Sequence, residues 1–192
     1  MPVTVDLTED MVTTAVRAFI LAVVPDPPVE VVQGQANKVP SPMPPDYLVF
    51  WPIWRGRLAT NEDSGASTDP APTTRTMKQS TQADIQLDLH GPRGADLAQI
   101  IATLWRDPFA CEFFDAWVDP GTNAPISLQP LFCDDGHQMP FIDENKQYED
   151  RWTLSLSMQI NPVVSTTQQY ADTVAIGLIE VDATYPPEPV AP

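Results

Sequence analysis

The sequence predicts an α+β fold: a single mixed, mostly antiparallel sheet with helices packed on one face, plus Pro-rich arms. Three observations carry this. From Trp152 to Ile160 apolar side chains alternate with polar ones (Trp152, Leu154, Leu156, Met158 and Ile160 against Thr153, Ser155, Ser157 and Gln159), the pattern of a half-buried strand with one wet face. A parallel strand covered by helices on both faces would be apolar throughout. Leu97, Ile100, Ile101, Leu104 and Trp105 recur at helical spacing. Finally, 22 prolines fall in clusters, eight from Pro25 to Pro52 and four at Pro186, Pro187, Pro189 and Pro192. Such stretches suit neither regular helix nor central strand and predict extended arms.

The elements follow in order. Asp6-Leu7-Thr8-Glu9 has the form of a capping box, with Asp6 as the cap. Val12, Val16, Phe19, Ile20 and Val23 then predict a helix over about Asp10–Val24, stopped by Pro25. Val29–Gln33 reads as a short strand and Gly34–Asp46 as an irregular arm. Tyr47–Thr60 is strand-like and apolar on both faces, with Leu48, Phe50 and Trp54 on one and Val49, Trp51 and Ile53 on the other. Pro52 inside it implies an edge strand or a bulge. An apolar edge needs a cover, which the protein's own helices or a neighbouring subunit can supply.

Glu62–Thr74 is polar and without period, a mobile loop between two strands. Thr81–His90 alternates again, with Ala83, Ile85, Leu87 and Leu89 inward and Gln82, Asp84, Gln86, Asp88 and His90 outward. After the turn at Gly91-Pro92 comes a helix ending at Trp105. Pro108 opens another, whose stripe of Phe109, Phe113, Phe114 and Trp117 reads as core. Ser127–Cys133 and the stretch from Arg151 are strands, Thr166–Tyr170 a helical turn, and Thr173–Asp182 a buried strand. One domain over residues 1–185 and a Pro-rich tail over 186–192 account for the chain.

Composition excludes several functions. A net charge of −16 does not suit gripping nucleic acid, which needs basic stripes. No run of 18 apolar residues predicts a membrane span, and the first residues lack a signal peptide's basic region. Cys111 and Cys133 are too few for a disulfide framework, so a reducing cytoplasm is the expected compartment. Charge is uneven: Asp84 to Asp150 holds 13 acidic residues against Arg93, Arg106 and Lys146, whereas Arg55, Arg57, Arg75 and Lys78 form a basic group. Opposite patches permit head-to-tail self-association; the alternative is ordinary solvated surface.

Chemistry is sparse. Cys133-Asp134-Asp135-Gly136-His137 offers one thiol and one imidazole, short of a zinc site, and reads as a turn. Nucleophile elbow, Walker loop and dinucleotide fingerprint are absent. The expectation is a non-enzyme with no catalytic residue, metal or cofactor. The charged run Glu144, Lys146, Glu149, Asp150 and Arg151 reads instead as contact surface.

Several segments, in order, carry a resemblance: Arg17–Ile20, Asn37–Pro40, Arg55–Asn61, Asp84–Pro92, Leu104–Asp107, Pro130–Asp135, Pro140–Glu144, Gln147–Trp152 and Asn161-Pro162. Together, over about Asp10 to Tyr185, the chain resembles the neck and tail-terminator proteins of tailed bacteriophages. The resemblance implies a structural virion protein, assembled in the host cytoplasm. It implies a ring, usually hexameric, at the head-proximal end of the tail that stops tube growth and joins tail to head. Its partners would be copies of itself, the tail tube protein and the head-completion proteins, with DNA passing through an acidic lumen and no membrane involved. A head-closure or adaptor neck protein, and an acidic protein-binding domain outside any virion, are the competing readings. For a subunit seam the sequence offers Trp51, Trp54, Arg55 and Arg57 facing Glu149 and Asp150 of a neighbour, with Tyr148 and Arg151 beside them.

Overall fold

The computed structural model describes residues 3–25, 27–34, 45–65, 73–142, 146 and 148–168. Its centre is an antiparallel pair. Strand β6 (Thr81–His90) lies against β11 (Arg151–Ile160), residue for residue from His90 opposite Arg151 to Thr81 opposite Ile160. Beyond β6 come β3 (Tyr47–Arg57), antiparallel, and β2 (Glu30–Gln33), parallel to β3; beyond β11 comes β7 (Leu128–Cys133), with the short β8 (His137–Gln138) following it along the same edge. The sheet is therefore mixed and mostly antiparallel, as its alternating sequences predict.

One face of this sheet is core. Leu48 and Phe50 on β3, Ala83, Ile85, Leu87 and Leu89 on β6, and Leu154, Leu156, Met158 and Ile160 on β11 are all buried on it. Helices α1 (Glu9–Val23), α2 (Gly94–Trp105) and α3 (Pro108–Asp115) cover that face. Phe19 is the hub of the helical layer, edge-on to Trp105 at 5.3 Å and stacked on Phe114 at 5.5 Å. The aromatic stripe of α3 is core at Phe114, partly buried at Phe113 and Trp117, and exposed at Phe109. Pro108 takes the first turn of α3, and the Asp107 carboxylate caps it by accepting from the Phe109 amide at 2.9 Å.

The cap of α1 is Thr8, not Asp6: the Thr8 hydroxyl accepts from the Met11 amide at 3.3 Å. The Asp6 carboxylate is used elsewhere, accepting from the Val163 amide at 2.7 Å.

The α+β class holds, but the strands do not form a single sheet. A second sheet runs β1 (Val3–Val5), β12 (Val163–Gln168), β5 (Thr73–Lys78), β4 (Glu62–Ser64), and a two-stranded ribbon joins β9 (Phe141–Ile142) to β10 (Tyr148–Glu149). The reason is Pro162. Past Ile160 opposite Thr81 the same register resumes with Val163 opposite Lys78, and between them the Gln79 amide still donates to the Pro162 carbonyl at 3.1 Å. Pro162 supplies no N–H of its own, so the ladder is interrupted without losing register. The second sheet is thus an arm that prolongs β6 and β11. Both its faces remain partly open, with Val3 and Val5 exposed.

Other expectations shift for the same reason. Gln168 ends β12, so 166–168 is strand rather than helical turn. The expected loop at Glu62–Thr74 is strand at both ends, held by Glu62–Lys78 at 3.5 Å and Asp63–Arg75 at 2.6 Å; residues 66–72 of it lie outside the described residues. The expected strand at Thr173–Asp182, the tail at 186–192 and most of the arm at Gly34–Asp46 also lie outside them.

The core face and the arm should respond differently to truncation. Leu154→Ala should cost about 2–5 kcal/mol, the range for a buried leucine, whereas Val3→Ala should stay within about 0.5 kcal/mol. Denaturant midpoints at constant m-value measure both.

Candidate functional site

Among the described residues, no helix covers the other face of the main sheet. Across it run Tyr47, Val49, Trp51 and Trp54 of β3, Gln82, Asp84, Gln86, Asp88 and His90 of β6, and Thr153, Ser155, Ser157 and Gln159 of β11. Trp54 belongs here, not with Leu48 and Phe50 as simple alternation predicts. The register slips between Pro52 and Trp54, so Trp54 stands opposite Asp84. The extra residue of a bulge reverses the facing of everything after it.

Pro52 is tolerated because Phe50 turns its carbonyl outward to the Gly34 amide at 2.8 Å; two residues on, the missing N–H of Pro52 also faces away from β6. Trp54 then lies over Gly56, where a Cβ would overlap its ring, and Trp51 over Gly34. Trp54 is still 52% exposed, and Ile53 beside it is exposed too.

At the His90 end this face is closed by polar groups. Asp88 is only 3% exposed. It pairs with the Arg151 guanidinium and accepts from the Thr153 hydroxyl at 2.9 Å and the Gln86 amide at 3.1 Å. His90 is also buried: Tyr47 stacks on its ring at 4.4 Å, nearly parallel, and Nδ1 lies 3.2 Å from Glu149 Oε1. The alternation of β6 predicts both as outward; they are, but neighbouring strands roof them over.

The electrostatics follow from that roof. Burial, then the Glu149 carboxylate that accepts its hydroxyl proton, pushes the Tyr47 phenol up to about 12. Burial lowers the His90 imidazole below its ordinary value, against the opposing pull of Glu149. The cluster resembles an acid–base pair but lines neither the cavity of about 380 Å³ nor that of about 190 Å³ found in the molecule. What it does is fasten β10 to the end of β6 and β11.

Seven of the eight seam candidates therefore fall into two groups at opposite ends of the sheet. Tyr148, Glu149, Asp150 and Arg151 lie at the His90 end, where the Gly91 amide donates to the Asp150 carbonyl at 2.9 Å. Glu149 and Arg151 are engaged within their own chain, while Tyr148 and Asp150 are exposed. At the other end Arg55 and Arg57 stand opposite Ala83 and Thr81, and Trp54 opposite Asp84. Arg55 is 3.6 Å from Glu9, and among the described residues Arg57 makes no ion pair. Of the expected contact run, Glu144 lies outside the described residues and Lys146 is exposed. Trp51 sits midway, opposite Gln86.

Sequence reading missed the pairing of Asp88 with Arg151 and of His90 with Glu149, which buries both on the outer face. The available signal was a histidine and an aspartate at the polar positions of a strand whose neighbour begins with Arg151. Among the described residues no three histidine, cysteine or carboxylate side chains gather as metal ligands. Cys133 is buried, and burial, then Asp134, pushes its thiol up to about 12. Cys111 and Cys133 are both free. No described helix is long and apolar enough to cross a membrane.

Comparison with known proteins gives one family. The family described as phage neck terminator protein matches residues 10–187, nearly the whole chain. No curated protein matches.

Two outcomes test the cluster. Arg151→Ala would leave Asp88 buried without its cation and should cost about 3–5 kcal/mol, read from thermal or denaturant unfolding. The His90 ring should titrate below 6.5 in the folded chain. The unfolded chain then binds the proton more readily, so this group's contribution to stability is complete above about 6.5 and declines as pH falls below it. NMR titration of the ring measures the midpoint; a value above 6.5 contradicts the burial argument.

Proposed function

Because the chain belongs to the phage neck terminator family, a family of structural tail proteins, we propose that it closes a ring, of six subunits, at the head-proximal end of the tail. The ring caps the tail tube, and its other side receives the head-completion proteins. One observation carries the subunit arrangement: an acidic group and a basic group lie at opposite ends of one sheet. Glu149 and Asp150 flank His90, whereas Arg55 and Arg57 flank Thr81, nine residues away along β6, about 30 Å.

Opposite charges at the two ends of a face can pair about a two-fold axis or head to tail; the ring proposed here uses the second arrangement, and such contacts close when the rotation divides the circle. Trp51 and Trp54 supply apolar area near the basic group, and the charges set the register. Asp84 on the uncovered face, with a net charge of −16, suits a lumen past which DNA slides without sticking. A head-closure or adaptor role would place the same ring one layer nearer the capsid, and its position in a reconstructed particle separates the two. An acidic binding domain outside the virion would stay monomeric.

Charge reversal is the sharpest test. Arg57→Glu should leave the subunit folded and weaken assembly by about tenfold or more, since like charges brought together cost several kcal/mol. Sedimentation of the purified chain with and without tail tubes reads this. In infected cells, loss of the protein should give tails of irregular length, or tails and filled heads that do not join. Normal joined particles made without it would end the proposal.

A further inference from the structure

The arm is bare on the side of β1. Strand β1 ends the second sheet, and among the described residues no strand lies along its outer edge. The Asp6 amide donates to the Val163 carbonyl at 3.2 Å, so alternation turns the amides and carbonyls of Val3 and Val5 the other way, onto that open edge. Their side chains are 64% and 50% exposed. Where β1 gives way to α1 a cavity of about 380 Å³ opens, walled by Leu7, Met11, Pro125, Ile126 and Val163. Its charged members are already engaged: Lys78 pairs with Glu62, and the Asp6 carboxylate accepts from the Val163 amide. An occupant therefore meets mostly apolar wall.

The chain carries a segment suited to this edge. Residues 173–182, outside the described ones, include Val174, Ile176, Leu178, Ile179 and Val181. A strand apolar on both faces needs cover on both. The family match runs on to residue 187, so the segment belongs to the matched region and is not an appendage. Its tether fits as well. β12 ends at Gln168, and Val163 on the cavity wall lies five residues back, about 17 Å of strand. To come alongside the outer edge of β1, a returning chain crosses two strand spacings, about 10 Å. Ten extended residues span about 33 Å. A chain that turns back after Gln168 thus reaches the cavity by Leu178, with Val174 and Ile176 passing Val3 and Val5 on the way.

We infer that residues 173–182 fold back along the outer edge of β1 and seat Leu178 in the cavity of their own chain. The inference goes beyond the ring reading and does not depend on it. The tether decides the occupant. A short link that spans its site holds the segment at an effective concentration on the order of millimolar, well above that of a second copy in dilute solution. Docked there, the segment closes a strand edge that otherwise invites pairing with other chains, and it fastens the arm to the start of α1. β1 lies on the β11 side of the arm and Arg57 on the β6 side, so the basic group proposed for the ring contact stays uncovered.

The test uses the free full-length chain at high dilution, carrying Cys111→Ser so that the buried Cys133 is the sole native thiol left. Leu178→Cys is combined with Ala124→Cys, at a half-buried residue of the cavity wall, and the chain is oxidised. A link within one chain is expected, read as the loss of two thiols under denaturing conditions at unchanged monomer mass. None is expected when Leu21→Cys, on an exposed part of α1, replaces Ala124→Cys. In parallel, Leu178→Asp in the chain with its native cysteines should speed cleavage between residues 173 and 182 by a nonspecific protease about tenfold or more, because cleavage follows the undocked population. Leu178→Met should stay close to the unsubstituted chain. Absence of the link, or equal cleavage of the Leu178→Asp and unsubstituted chains, overturns the docking. A link that forms only between chains overturns its assignment to the same chain. Each of these results leaves the ring reading standing, since sedimentation with tail tubes decides that separately.

Discussion

Everything in this molecule is registered on the pairing of β6 with β11. Ten consecutive residues face ten others without a slip. That alignment puts Ile85 beside Leu156 and Leu87 beside Leu154 on one face, and Asp84 beside Ser157 and Asp88 beside Thr153 on the other. A slip of one residue would bury the aspartates and expose the leucines, so the hydrophobic effect holds the register tightly. The helices settle on the apolar side. The polar side completes its hydrogen bonds within itself: Asp84 accepts from Ser157 at 2.7 Å and from Gln82 at 2.8 Å. A sheet face that satisfies its own polar groups needs no helical cover.

The parts of the fold that depend on period were legible in the sequence. Thr81–His90 and Arg151–Ile160 have the expected limits, and the helices are found within a few residues of their expected limits, because alternation and helical spacing report directly on which side is buried. The parts that depend on two distant segments meeting were not. Trp54 changes face because of a single extra residue, which leaves no trace in alternation beyond Pro52 itself. The arm strands are short and rich in Thr and Ser, so their pairing follows from the position of Pro162 in a ladder and not from their own pattern. Likewise, nothing in the order of residues says that Tyr47 lies flat on His90, since forty-odd residues separate them.

The candidate site divides the same way. Composition exposed the two charge groups, and the sheet placed them at opposite ends. What composition could not tell was which charges remain available. Glu149 and Arg151 are spent on His90 and Asp88, so the ribbon's outward chemistry is left to Tyr148 and Asp150. At the other end Arg55 holds Glu9, which leaves Arg57 as the more available cation. A charged run in a sequence is thus a mixture of structural and outward-facing members, and burial sorts them.

The uninterrupted register across Pro162 has a mechanical consequence. The Gln79–Pro162 bond and the pairs on either side of it make the arm and the core one long two-stranded beam with a single missing rung. Tension that draws β12 along its own axis, against β5 and β6, loads the rungs in shear, and many must give together. A sideways tug on β4 or β1, three residues each, peels rungs one after another. The beam is stiff along the strands and yielding at its margins. A load carried along the strands would reach the core undiminished, while the margins could bend to follow whatever they touch.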